Sequence, residues 1–72
     1  MTYTVIYEKG TNSWGAYVPD LPGVITVGDT REEVEELIRE AIEFHLEGMR
    51  AEGLQIPAPS SFAGVVDVPP AV

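Results

Sequence analysis

Carboxylates are the most abundant reactive groups in this chain, and their spacing allows two kinds of chemistry. Glu33, Glu36, Glu40, Glu43 and Glu47 follow one another at intervals of three and four residues, which on a helix gathers them into one stripe. Such a stripe is either a solvated face that keeps a small protein soluble or a mimic of nucleic-acid phosphate that steers a basic partner into contact. The other chemistry is metal-assisted hydrolysis, which needs two ions about 3.5 to 4 Å apart, bridged by carboxylates converging from adjacent strands and a helix. Away from the stripe the candidates for that are thin, Glu8 and Asp67 at the ends of two β-prone runs. Asp20 and Asp29 stand in turn sequences and read as turn and cap partners. His45 has no serine or cysteine at helical spacing, so a packed imidazole in the core or at a subunit boundary is expected rather than a nucleophile's base. No catalytic residue, metal site or cofactor is expected.

The composition narrows the classes further. With no cysteine and a single histidine among 72 residues, disulfides and zinc are both removed as staples. A chain of this length buries only about 60 to 65% of the surface that its unfolded state exposes, and self-association is the support that remains. Four basic residues against twelve acidic ones give a formal charge of −8, which repels nucleic acid and anionic lipid and favours a basic protein as partner. The start, Met-Thr-Tyr-Thr-Val, has no signal-peptide pattern, and no apolar run reaches the roughly 18 residues of a membrane span. A cytoplasmic protein with no membrane or nucleic-acid contact is expected.

The elements that must position these residues are legible in outline. Residues 3–8 and 14–18 are rich in β-branched and aromatic side chains and are separated by turn chemistry, which reads as a hairpin. Pro19-Asp20-Leu21-Pro22-Gly23 breaks the second strand, because each proline lacks a ladder donor and restrains the residue before it; residues 24–27 form a third strand. Thr30 with Glu33 makes a capping box, and the apolar periodicity of Val34, Leu37, Ile38, Ala41, Ile42, Phe44, His45, Leu46 and Met49 predicts a helix over residues 31–52, ended by Gly53. At about 33 Å that helix outruns a short strand, so its last turns should overhang, exposing Leu46 and Met49. Residues 54–61, with Pro57 and Pro59, read as a rigid connector, and residues 62–68 as a fourth strand ended by Pro69-Pro70. The expectation is one α+β domain spanning residues 1–72, with an ordered core over 1–68 and a tail over 69–72. Its order is βββαβ, a four-stranded mixed sheet with one long helix on one face.

The elements PDLPG at 19–23, GDTREE at 28–33, a long acidic helix and GLQIPAP at 53–59, in that order over nearly the whole chain, resemble the HicB family. The resemblance implies a partial ribonuclease-H-like fold with sheet order 3-2-1-4. It also implies a role as the antitoxin of a type II toxin-antitoxin pair, binding and occluding a small basic HicA-type toxin that cleaves mRNA. Many members carry a carboxy-terminal DNA-binding domain; the chain ends at Val72 without such a motif, so direct DNA binding is not expected. A second reading is a stand-alone oligomeric binding protein without a toxin. A remote third is a ribonuclease-H-like nuclease, against which the middle of strand one has Val5-Ile6 where the ribonuclease H pattern requires an aspartate. The small core and open sheet edges predict a homodimer or higher oligomer, with Leu46, Met49 and Trp14 as contact residues.

Overall fold

The computed structural model describes residues 1–71. Three strands, β1 (Ile6–Lys9), β2 (Trp14–Tyr17) and β3 (Ile25–Gly28), form an antiparallel sheet in the order β1-β2-β3, and the helix α1 (Arg31–Ala51) follows. Direct pairing of Tyr7 with Ala16 and of Ala16 with Thr26 puts these three side chains on one face, and Ile6, Tyr17 and Ile25 on the other. The helix packs on the first of these faces, against β2 and β3. The core is one cluster of buried side chains, Ala16, Val18, Leu21, Val24, Val34, Ile38 and Leu46.

The segment between β2 and β3 is two tandem turns. The Leu21 amide donates to the Val18 carbonyl (3.1 Å) and the Val24 amide to the Leu21 carbonyl (3.1 Å), while the Val18 amide reaches the Val24 carbonyl (3.2 Å) and closes the base. Each turn carries proline at its second position, where a φ near −65° is already required, and the second has Gly23 at φ 88°, the geometry of a type II turn. Pro19, Pro22 and Gly23 turn the chain between the two strands, as their residue types suggest, and the turns also drive Leu21 into the centre of the core with no exposed surface.

The C-terminal end of α1 is built as the sequence suggests, and its start keeps one of the two bonds of the expected capping box. The Thr30 hydroxyl accepts from the Glu33 amide at 3.1 Å. The Glu33 carboxylate lies against Gly28, and among the described residues no return bond to the Thr30 amide completes the capping box. At the other end the Gly53 amide donates to the Arg50 carbonyl (3.1 Å) and the Leu54 amide to the Met49 carbonyl (2.9 Å), with Gly53 at φ 71°. This is the Schellman pattern, which satisfies carbonyls that the helix itself leaves open.

Two expectations need correction. Leu46 is not exposed on an overhanging end: it is buried at 9% relative exposure. The connector folds back instead of continuing outward, so that Ile56, with Tyr3, packs against the cluster that contains Leu46. Phe44, expected on the buried arc, is 79% exposed. The second correction concerns the fourth strand. Residues 62–68 pair with no strand, and Phe62, Val65, Val66 and Val68 are all exposed. A β-prone composition measures fit to a pleated neighbour, and Gly64 weakens the segment further; without a neighbour it stays outside the sheet, whose order is β1-β2-β3 rather than 3-2-1-4.

Two substitutions test this account of the fold. Thr30→Ala removes the one side-chain acceptor at the helix start and should lower unfolding free energy by about 1 kcal/mol in urea titration, whereas an unchanged midpoint would mean that the cap carries no load. Thr26 Oγ1 is buried without a hydrogen-bond partner, so Thr26→Val, of similar shape, should leave stability equal or raise it by up to about 1 kcal/mol; a loss would show that the hydroxyl is bonded in solution.

Candidate partner-binding surface

The first surface is the acidic stripe. Glu33, Glu36, Glu40, Glu43 and Glu47 are all exposed, on the side of α1 opposite the buried Val34 and Ile38. Arg39 comes within 3.9 Å of Glu36, and Arg31 pairs with Glu35 off the stripe at 3.1 Å. Among the described residues Glu33, Glu40, Glu43 and Glu47 form no ion pair. Arg31 also lies over the Tyr7 ring at 5.5 Å, which ties the start of α1 to β1. Like-charge neighbours at these spacings oppose helix formation by about 0.2 to 0.5 kcal/mol each, so the stripe is held in place by the core beneath it.

The second surface is the bare face of the sheet. Tyr17, Ile25 and Val27 are 37%, 66% and 65% exposed there and line a shallow trough of about 400 Å³ with Glu8 and Gly15. A sheet with one helix has one covered face, and here the other is apolar. Trp14, expected as a subunit contact, is instead half-buried against the core on the helix side, with the Lys9 ammonium 5.9 Å from its ring centre. Met49 is half-buried at the end of α1, beside His45, Phe44 and Leu54 in a shallow depression.

The third feature is a clamp that sequence reasoning missed. Asp20, expected as a local turn partner, reaches across the chain to residues 60 and 61. One carboxylate oxygen accepts from the Ser60 amide (2.8 Å) and the Ser61 amide (3.0 Å), the other from the Ser60 hydroxyl (3.1 Å) and the Ser61 hydroxyl (2.7 Å). The Ser61 amide, then the Ser60 amide and the Ser61 hydroxyl, hold its pKa down from the usual 3.8 to about 2. Two further bonds seat the connector beside the start of β1: Tyr3 donates its hydroxyl to the Pro57 carbonyl, and Thr4 donates to the Ser61 carbonyl at 2.7 Å. Nothing in local spacing could reveal the clamp, because its partners are 40 residues apart.

Among the described residues no group of three or more His, Asp or Glu side chains is gathered closely enough to hold a metal ion. Glu8 stands exposed on β1 and Asp67 exposed beyond the clamp. Among the described residues no helix is long and apolar enough to cross a membrane.

The clamp makes a prediction with a defined sign. A carboxyl whose folded pKa is depressed contributes stability that is complete above its unfolded value and is lost as pH falls through the folded value. The parent should therefore lose melting temperature as pH drops from 3.8 towards about 2, with a steeper slope than Asp20→Asn, which should melt lower than the parent at neutral pH. Identical pH profiles for the two proteins would remove the clamp as a stabilising contact.

Comparison with known proteins agrees with this architecture. A family model described as HicB_like antitoxin of bacterial toxin-antitoxin system matches residues 3–70. The chain is 34% identical to the protein Antitoxin HicB 2 of Photorhabdus laumondii, with all of this chain and 52% of that protein covered. It is 33% identical to an uncharacterized 14.9 kDa protein of Haemophilus phage HP1, over 96% of this chain and 52% of that protein. The chain thus spans about half the length of these two curated relatives. A chain of a solved HicA3 and HicB3 toxin-antitoxin complex superposes with a TM-score of 0.69 at 27% identity, covering 83% of this chain and 70% of that one. With the family model spanning almost every residue and the fold shared with a toxin-antitoxin complex, this acidic three-stranded, one-helix protein belongs to the HicB-like antitoxin family.

Proposed function

We propose that the chain neutralises a small, basic, mRNA-cleaving toxin of the HicA type by binding it and occluding its RNA-binding surface. Membership of the antitoxin family and the likeness to a chain of a HicA3 and HicB3 complex support a toxin partner. The observation that carries the mode of binding is the stripe of five exposed glutamates on α1, four of them without an ion pair among the described residues. Their repulsion opposes folding, yet they stand in a row on the face that the core does not use. A row of negative charge on a rigid rod resembles a phosphate backbone and competes for the cationic surface that an RNA-cleaving protein needs. In this reading the chain is a binding module and not an enzyme, works in the cytoplasm where its toxin meets mRNA, and uses no cofactor. With a charge of −8 this domain makes no contact with nucleic acid itself. The fourth strand and the ribonuclease-H-like sheet order belong to the assembled state, in which an oligomer supplies the missing neighbour.

The test is kinetic. Replacing Glu36, Glu40 and Glu43 by glutamine should leave the fold at least as stable, since it removes like-charge neighbours worth about 0.2 to 0.5 kcal/mol each. Association with a HicA-type toxin encoded beside the chain should slow by about tenfold or more at low salt and converge with the parent at high salt. Equal association rates at every salt concentration, with the variant folded, would return the stripe to a solvated face and move the docking site to the sheet.

A further inference from the structure

Gly48 is a glycine that the fold itself does not use. It lies inside α1 with helical backbone, Gly23 and Gly53 being the glycines of positive φ, and a Cβ there would meet nothing within 4 Å beyond the helix backbone around it. Gly28, by contrast, is held by crowding, since a Cβ would stand 2.8 Å from the Glu33 carboxylate. Inside a helix glycine is the least favourable residue after proline, because it gives up the most backbone freedom on folding. Position 48 therefore carries a cost that alanine would remove without disturbing any contact of the chain.

The surroundings of Gly48 indicate what its bare backbone admits. With Phe44 one turn before it, Gly48 opens into a shallow depression lined also by His45, Met49, Glu52 and Leu54. Phe44 and Leu54 are 79% and 52% exposed, and the bond from the Leu54 amide to the Met49 carbonyl holds Leu54 beside the helix end. At about 290 Å³ the depression falls short of the roughly 300 to 1,000 Å³ of a small-molecule pocket; its scale is that of a side chain from another protein. Charge selects that protein. Among the described residues no lysine or arginine lines the depression, whereas Glu52 does, and Glu40 and Glu47 lie within about 60° of Phe44 around the helix. An apolar centre rimmed by carboxylates matches a surface that presents an apolar residue among lysines and arginines.

We propose, on the reading that the partner is a basic toxin, that the toxin closes on α1 at Gly48. It inserts an apolar side chain against the bare backbone beside Phe44 and sets its cations against Glu40, Glu47 and Glu52. Stripe and depression then divide the work. Charge spread along the helix governs how fast the partners meet, and close packing at Gly48 governs how long they stay together. Because Phe44 borders the stripe, a partner steered by the glutamates arrives next to the depression. A methyl group at position 48 would hold it off.

The signature is a set of variants whose stability and binding move in opposite directions. Gly48→Ala should raise the melting temperature by about 3 to 8 °C, the effect of replacing a helical glycine in a domain this small, while speeding dissociation from a HicA-type toxin encoded beside the chain. Gly48→Gln, longer and uncharged, and Phe44→Ala should each speed dissociation by about tenfold or more and leave association at low salt within about twofold of the parent. Surface plasmon resonance reads both rates. A Gly48→Ala chain that melts no higher than the parent would show that the glycine serves the fold and would overturn the proposal. Parent-like dissociation of Gly48→Gln and Phe44→Ala would overturn it too, and would leave the toxin reading standing because the toxin is still bound. If Gly48→Gln changed the sedimentation mass of the chain alone and not its dissociation from the toxin, a second copy would be the occupant and the proposal would fail. A parent that binds no toxin at all would sink the toxin reading itself, and the depression as a toxin contact with it.

Discussion

The burial of Leu21 is the contact on which most of this molecule turns. Two proline-led turns back to back leave that side chain no direction but inward, where it joins Val18 and Val24 from the loop, Ala16 from β2, and Val34, Ile38 and Leu46 from α1. Fully burying a leucine contributes about 1.5 to 3 kcal/mol, a large share of the stability of a domain this small. The same two turns point Asp20 the other way, outward, where it grips Ser60 and Ser61. One loop therefore seats the helix on the sheet and sets where the chain leaves the body after the connector. Its proline and glycine positions serve backbone geometry rather than chemistry.

What the core leaves uncovered is as informative as what it buries. The seven buried side chains among the described residues are few, one sheet face is bare, and an apolar segment stands clear of the body. Small domains that lack disulfides and metals gain the missing burial from partners. Charge sorts those partners by surface. The acidic side of α1 suits a basic protein, while the bare sheet face with Tyr17, Ile25 and Val27 suits an apolar surface. A partner on one of these surfaces leaves the other free.

Much of this was legible beforehand, for physical reasons that differ by element. Thr30 at the cap, Gly53 at the stop and the apolar spacing of Val34, Ile38 and Leu46 are local signals, and the helix begins and ends where they place it, within one residue. The three strands were visible as β-prone runs, but their bounds moved. The first was expected over residues 3–8 and pairs over Ile6–Lys9, because β2, paired with it from Lys9–Trp14 to Ile6–Tyr17, gives way at Val18 to the tandem turns and leaves residues 3–5 without a neighbour there. The fourth run had the composition of a strand and lacked a neighbour, which composition cannot report. Leu46 shows the same limit. Its place on the apolar arc was clear, but its burial depends on a connector that folds back through contacts between residues far apart in sequence. The acidic stripe was readable in full from spacing, since exposure on a helix follows from which residues face the core.

The central claim is that this fold is a toxin-binding module, and inhibition measures it most directly. The purified 72-residue chain would be titrated into a HicA-type toxin encoded beside it while cleavage of a defined mRNA is followed. Complete loss of cleavage at an equimolar ratio, with the RNA unbound by the chain alone, is the expected result. Undiminished cleavage at an excess of folded chain would contradict the account.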